Sequence, residues 1–392
     1  MKIYKLITCL LCAGLLVSGC RKKEEEVETG TIIKPVISGE YGYYINNEIS
    51  DTRYIHNSYR ASKADPLTMG QGALQLAKKY FDPKQYLVQE GNVLSNSELE
   101  RQDTSYNALG LLKFKTEINP EGLNPEKGTP IDNGNGITMY NAILVSDVYE
   151  IDYVQVNNGI AEIVGFTFVV VLSDTVQYRE AEFDDNGNVK TDSNGEVLLK
   201  DGWKTTTITK EQLYTYGSVE AGQRLVNYLR NAHPEVGSLP IHMLLYEAPN
   251  SNANISGVFI GEAYVEDRVS SYTTLNQEWA FLPSDRMDQL NGLVASQFTQ
   301  LKTNLFKNYP VDVGLWGKGF FENDLLQTLS LEVKVQAKTY TEIQSLIQYM
   351  VELSSYFTET SYSLKIDVQS DNETIAILSR DRGSSEMSVT LK

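Results

Sequence analysis

The sequence predicts an α+β fold made of two similar subdomains from an internal duplication, each with helices packed on a mainly antiparallel sheet. Three observations predict it. Apolar residues recur at helical spacing in two distant segments, Leu74–Phe81 and Val294–Leu305. Two strand-like runs, Ile163–Leu172 and Leu329–Ala337, follow them in the same order. Each run leads to a helical stripe and then to two strands joined through a short turn, and such turns make antiparallel pairs.

The elements begin with a signal. Lys2 and Lys5 give a basic start, Leu6–Val17 is almost continuously apolar, and Val17-Ser18-Gly19-Cys20 closes the segment. A charged start, an apolar core and small residues at the cut form a secretory signal. The cysteine directly behind the small residues makes it a lipoprotein signal, residues 1–19, cut between Gly19 and Cys20. The apolar run is too short for a bilayer span, which needs about 20 residues. The Cys20 thiol is expected to take a diacylglyceryl group, so that the lipidated cysteine becomes the N-terminus and holds the protein on the outer face of the membrane. Cys9 and Cys12 lack the preceding pattern. Residues 20–35 are charged and aperiodic and read as a tether.

Residues 36–270 form the first half. Leu74, Ala77 and Phe81 share a helical face that stops at Asp82-Pro83, and Tyr86–Leu94 follows. Asn119–Gly136 is dense in Asn, Pro and Gly and reads as loop. The nearly continuous apolar, β-branched run Ile163–Leu172 predicts a central strand. Asp184-Asp185-Asn186-Gly187 and Asp192-Ser193-Asn194-Gly195 are hairpin turns. A helix over Val219–Arg230 precedes the closing strands Pro240–Glu247 and Ser256–Val265, joined at Pro249-Asn250-Ser251-Asn252.

Residues 271–392 repeat the order. Val294, Phe298, Leu301 and Leu305 make the helical stripe, and Val313–Phe321 takes the place matching Tyr86–Leu94. Leu329, Leu331, Val333, Val335 and Ala337 alternate cleanly, which predicts a strand with one buried face. Thr339, three residues before Glu342, is a capping-box start for a helix with Ile343, Leu346, Ile347, Met350 and Phe357 on one face. Ser363–Val368 and Thr374–Arg380 close the half through Ser370-Asp371-Asn372.

Composition removes several function classes. All three cysteines lie in or beside the signal, so the exported part has no disulfide and no cysteine metal site. The formal charge of −17 becomes −19 once Lys2 and Lys5 are removed. Such an acidic chain lacks the clustered cations that bind nucleic acid, and an anionic lipid surface would repel it. The lipid on Cys20, not the protein face, is therefore the expected membrane contact.

Several segments carry a family resemblance: Tyr59-Arg60-Ala61-Ser62-Lys63-Ala64, Lys79-Tyr80-Phe81 with Gln89-Glu90-Gly91, Glu150-Ile151-Asp152-Tyr153-Val154, Gly165-Phe166-Thr167-Phe168, and Gly317-Lys318-Gly319 with Gln348-Tyr349-Met350. Together with the lipoprotein signal and the repeated element order, they resemble the CamS family of Gram-positive lipoproteins, described as sex-pheromone precursors. The hairpin around Asp184–Gly195 departs from the family as an insertion. The resemblance implies that a short apolar peptide is released from the signal sequence rather than from the folded part. The matching stretch is Ala13, Gly14, Leu15, Leu16, Val17, Ser18 and Gly19, whose expected partner is a receptor on another cell.

Catalytic and cofactor patterns are missing. His56, His233 and His242 form no ligand-spaced pair and no Cys–His arrangement, and there is no HExxH, GxSxG or SxxK. Gly314–Gly319 mimics a phosphate loop but lacks the GK[ST] ending, so it reads as a turn. The Asp184 loop puts Ser193 where a calcium loop requires a bidentate Glu. Glu150 and Asp152, two apart, would share a strand face with no partner groups in view. The expected protein is a non-enzyme without catalytic, metal or cofactor residues. It is read as a lipid-anchored extracellular lipoprotein whose folded part has a binding or structural role. The alternative is an exported solute-binding lipoprotein or cell-envelope enzyme with a cleft between the halves.

Overall fold

The computed structural model describes residues 30–46, 49–52, 66–100, 109–158, 160–249, 255–267 and 271–392. The signal, Cys20, His56, Tyr59–Ala64 and most of the Pro249–Asn252 turn lie outside the described residues.

Ten strands make the first sheet among the described residues: β1 (Thr31–Ile33), β2 (Gly42–Ile45), β3 (Leu87–Glu90), β4 (Pro130–Asp132), β5 (Thr138–Asn157), β6 (Ile160–Arg179), β7 (Lys204–Thr207), β8 (Ile241–Ala248), β9 (Val258–Val265) and β10 (Thr273–Thr274). Their order is β1-β2-β3-β5-β6-β8-β9-β10, with β4 on β5 and β7 on β6. Only β2–β3 and β6–β8 run parallel. The second sheet follows chain order from β11 (Gln277–Leu282) through β12 (Val313–Glu322), β13 (Leu325–Val335), β14 (Ser363–Ser370) and β15 (Glu373–Arg380) to β16 (Ser388–Leu391). There only β13–β14 is parallel. The first sheet starts at Thr31, inside the stretch read as tether, and its last strand ends at Thr274.

The helices are α1 (Pro66–Ala77), α2 (Asn96–Leu99), α3 (Lys210–Tyr216), which runs through a π turn (Gly217–Ala221) into α4 (Gly222–Ala232), then α5 (Asp285–Leu290), α6 (Gly292–Asn308) and α7 (Tyr340–Ser354). The duplication lies in the cores of the halves. The β5–β6 hairpin crosses over α3–α4 to the parallel strand β8 and returns as β9. The β12–β13 hairpin crosses over α7 to β14 and returns as β15. Phe166 pairs with Ile241 in one crossover and Leu329 with Leu364 in the other.

The leading helices do not match. On β6, Phe166, Phe168, Val170 and Leu172 pack with Leu225 and Leu229 of α4. Val169 and Val171 point the other way and pack with Met69, Ala73 and Ala77 of α1. The first sheet is thus covered on both faces, which is why Ile163–Leu172 is nearly all apolar, with Thr167 its one polar side chain. In the second half α6 and α7 share one core with Leu329, Leu331, Val333 and Val335, while Ser330, Glu332 and Lys334 face outward. The equivalence expected between Leu74–Phe81 and Val294–Leu305 is therefore corrected: α1 lies on the face of its sheet opposite the crossover helix, α6 on the same face. Nor does Val313–Phe321 match Tyr86–Leu94, since β12 pairs with β13 whereas β5 separates β3 from β6.

A second correction concerns Gly314–Gly319, which is strand rather than turn. Gly317 and Gly319 occupy inward positions of β12, where a Cβ would fall 2.5 Å from Leu331 Cδ2 and 2.9 Å from Met287 Cε respectively. These glycines let α5 and β13 close on the strand.

Candidate functional site

Glu150 and Asp152 do share one face of β5, as their spacing predicts, and both are buried, at 5% and 0% exposure. The loop Gly91–Leu94 closes over them. Val93 N and Leu94 N each donate to a Glu150 carboxylate oxygen at 2.9 Å, and Gln89 Nε2 donates to Asp152 Oδ2 at 3.2 Å. Burial pushes the Asp152 carboxyl well above the usual carboxylate range, and the neighbouring Glu150 pushes it further. Burial also raises Glu150, against the hydrogen bonds it accepts. Burial and mutual repulsion therefore disfavour having both carboxyls charged at once. Enclosed by the chain's own backbone, the pair fastens the 91–94 loop to the sheet.

A longer polar chain crosses the opposite face. Lys79 pairs with Glu262, and Glu262 Oε2 lies 3.4 Å from His242 Nε2. His242 Nδ1 lies 3.4 Å from Thr167 Oγ1, which is 2.9 Å from the Tyr153 hydroxyl. The Tyr80 ring stacks on Tyr264 at 4.4 Å and packs against His242 at 4.9 Å. Glu, His and Thr in this order resemble a nucleophile relay, but His242, Thr167 and Tyr153 are fully buried and no substrate reaches the hydroxyl. Desolvation lowers the His242 pKa, outweighing Glu262, so the ring is neutral at pH 7. No local pattern signals this chain, because register alone joins residues so far apart. His233 ends α4, where its Nε2 sits 2.6 Å from Glu98 Oε1 and Tyr228 OH donates to the same oxygen at 2.5 Å. Among the described residues no three His, Cys, Asp or Glu side chains are placed to hold a metal ion. In the hairpin insertion, Asp184 Oδ1 accepts from Asn186 N and Asn188 N within its own turn, while Glu182 pairs with Lys190.

The seam between the sheets forms a different kind of site. Gln277, at the start of β11, takes Phe259 N of β9 on its Oε1 at 3.0 Å and donates Nε2 to Glu322 of β12 at 3.1 Å. Trp279 and Phe320 of the second half pack against the first core, with ring centroids 4.9 Å apart. Beside this stitch a cavity of about 490 Å³ opens, walled by Tyr246, Phe259, Trp279 and Phe320 and by Gln71 and Leu76 of α1. Tyr246 and Phe259 pack edge to face at 5.0 Å. Rings and amides around a volume within the roughly 300–1,000 Å³ of small-molecule sites make it the candidate binding site of the folded part. Sequence reading left this site out because its residues come from six segments.

Among the described residues no helix is long and apolar enough to cross a membrane. The sequence-predicted residues Ala13–Gly19 and Cys20 lie outside the described residues.

A family profile described as "CamS sex pheromone cAM373 precursor" matches residues 48–386. Among solved structures, a sex pheromone precursor from Lactobacillus salivarius subsp. salivarius UCC118 superposes with a TM-score of 0.72 at 21% identity, covering 92% of this chain and 98% of that one. The C-terminal domain of the sex pheromone staph-cAM373 precursor from Staphylococcus aureus gives a TM-score of 0.56 at 19% identity, covering 82% and 95%. These likenesses show the fold. No curated protein sequence matches.

Proposed function

Because this chain belongs to the CamS family of sex-pheromone precursors, we propose that it is a membrane-anchored extracellular lipoprotein with two separable products. Cleavage before Cys20 leaves the folded part tethered through its acyl chains. The released signal yields the apolar peptide Ala13–Gly19, which acts on a receptor of another cell. The observation that carries this reading is the small-small-Cys ending at Ser18-Gly19-Cys20 ahead of a chain matched to the family over most of its length.

The folded part is proposed to be a binding module rather than an enzyme. The burial of Glu150, Asp152 and His242, at 5%, 0% and 0% exposure, supports that. The cavity at the seam favours the solute-binding form of the reading over a purely structural one.

Membrane fractionation and mass spectrometry of the supernatant test the proposal. Cys20→Ser should leave unprocessed precursor or release the protein, because buried acyl CH₂ groups at about 0.8 kcal/mol each are the only anchor proposed. Substitutions at Leu15, Leu16 and Val17 that preserve export should abolish peptide signalling, while deletion of 36–392 should spare it. Normal processing and membrane retention of Cys20→Ser, or signalling that depends only on the folded part, would defeat the reading.

A further inference from the structure

The cavity at the seam differs in chemistry from the rest of this acidic, tyrosine-rich chain, and we propose that it binds a neutral saccharide. Its apolar wall is aromatic rather than aliphatic. Tyr246, Phe259, Trp279 and Phe320 line it, with Leu76 the one branched aliphatic side chain among the described residues there. Flat rings present π-faces that pair with the C–H face of a sugar ring, whereas a leucine-rich or valine-rich peptide such as Ala13–Gly19 fills aliphatic pockets better.

The polar groups point the same way. The rim carries the amides of Gln71, Gln75 and Gln327, the hydroxyls of Thr68 and Thr328, and the Glu322 carboxylate, with no Lys, Arg or His among them. Amides and hydroxyls both donate and accept, as vicinal sugar hydroxyls require; Gln75, Gln327, Thr68 and Thr328 also bond within the protein, to Glu40, to Leu325 and Arg382, to Ser256 and to Ser363, which fixes their orientation. No cation lies on the described lining and Glu322 would repel a phosphate or carboxylate; the nearest cations, Lys318 over the Trp279 ring and Arg382 on Gln327, are engaged with the walls themselves.

The walls are also fixed in place. Gln277 holds Phe259 N and Glu322 in one hydrogen-bonded stitch, and Trp279 Nε1 reaches Gly257 O at 3.4 Å. On α1, Gly72 stands where a Cβ would come 2.6 Å from the Phe259 ring. The helix therefore lies close to that ring because position 72 has no side chain. Walls contributed by both halves and held by these contacts need little rearrangement on binding.

This inference rests on the folded part being a binding module and is independent of anchoring and peptide release. The full-length protein in zwitterionic detergent, which avoids sugar-headed detergents, would be titrated with cellotriose, maltotriose and N-acetylchitotriose while its tryptophan emission is followed. Of the three tryptophans, Trp203, Trp279 and Trp316, only Trp279 lines this cavity. A saturable change is expected with at least one trisaccharide. It should vanish in Trp279→Phe and persist in Trp203→Phe. Calorimetry should show binding weakened about tenfold or more in Phe320→Ala, the loss expected from removing a stacking ring. Near-UV circular dichroism of each variant confirms folding, and Gln71→Ala, on the exposed side of α1, gives a second variant that leaves the core untouched. Binding unaffected by Phe320→Ala and Gln71→Ala would overturn the site. A response to an apolar heptapeptide of sequence AGLLVSG instead of a sugar would overturn the ligand class and leave the binding module standing. Silence towards all four probes would overturn both.

Discussion

Gly91 lies flat against Glu150: a Cβ on Gly91 would fall 2.5 Å from Glu150 Cγ. That approach brings Val93 N and Leu94 N onto the buried carboxylate. The requirement is for space, since Gly91 is absent from the positive-φ positions of the described backbone. Gly91→Ala should therefore destabilise the fold by about 1–3 kcal/mol through overpacking, read as a lower urea midpoint. An unchanged midpoint would mean that the loop yields without loss.

The Asp152 carboxyl gives stability a pH dependence of definite sign. Its native pKa is raised by burial and by Glu150, so the folded state holds a proton that the unfolded chain releases above about pH 4. Its contribution is fully present below that value and is lost as pH rises towards the native pKa. Asp152→Asn should gain on the parent protein progressively above about pH 4. Urea titrations at a series of pH values would show it, and a difference constant with pH would refute the linkage.

His242 works in the opposite sense. Desolvation depresses its native pKa, so its contribution is present above about pH 6.5 and is lost as pH falls through the depressed value. His242→Gln should flatten the acid side of the stability profile between those limits. An acid limb unchanged in that variant would place the loss elsewhere.

Lys79 holds the outer end of the same chain, its side chain 45% exposed against 8% for Glu262. Lys79→Met leaves that carboxylate with His242 alone and should cost about 1–2 kcal/mol, less than a fully buried pair because solvent screens the lysine. Lys78→Met, whose partner Glu40 is far more exposed, should cost less than about 1 kcal/mol. Equal losses in the two variants would show that burial of Glu262 does not matter.

Thr339 caps α7. Its Oγ1 accepts from Glu342 N at 3.4 Å, while the Glu342 side chain accepts from Thr339 N at 2.8 Å. Thr339→Ala should destabilise by about 1 kcal/mol. Hydrogen exchange in the first turn of α7 should quicken with it; unchanged protection there would argue against the cap.

Features governed by near neighbours were legible in the sequence. Thr339 and Glu342 marked a helix start that the structure reproduces, because a capping box is closed by residues three apart. Asp371 and Asn372, with φ of 50° and 67°, make the β14–β15 turn read from their residue types. The nearly continuous run at Ile163–Leu172 marks a central strand and the alternation at Leu329–Val335 a strand with one buried face, and the structure has both. Gly314–Gly319 was misread because glycine signals a turn locally, and only Met287 and Leu331 packing from elsewhere explain it as strand. The apolar spacing puts the leading helix of the first half on Leu74, Ala77 and Phe81, yet α1 ends at Ala77, buries Met69, Ala73 and Ala77 and leaves Leu74 partly buried, while Phe81 enters the core from the turn beyond.

By itself the sequence determined the α+β class, the order of the longer elements and the buried faces of β13 and α7, since periodicity and turn chemistry act over a few residues. Tertiary structure decided which face of the first sheet α1 covers, which carboxyls are buried side by side, and how Tyr246, Phe259, Trp279 and Phe320 come to wall one cavity. Those outcomes depend on strand register and on packing between segments far apart in the chain, and no local pattern encodes either.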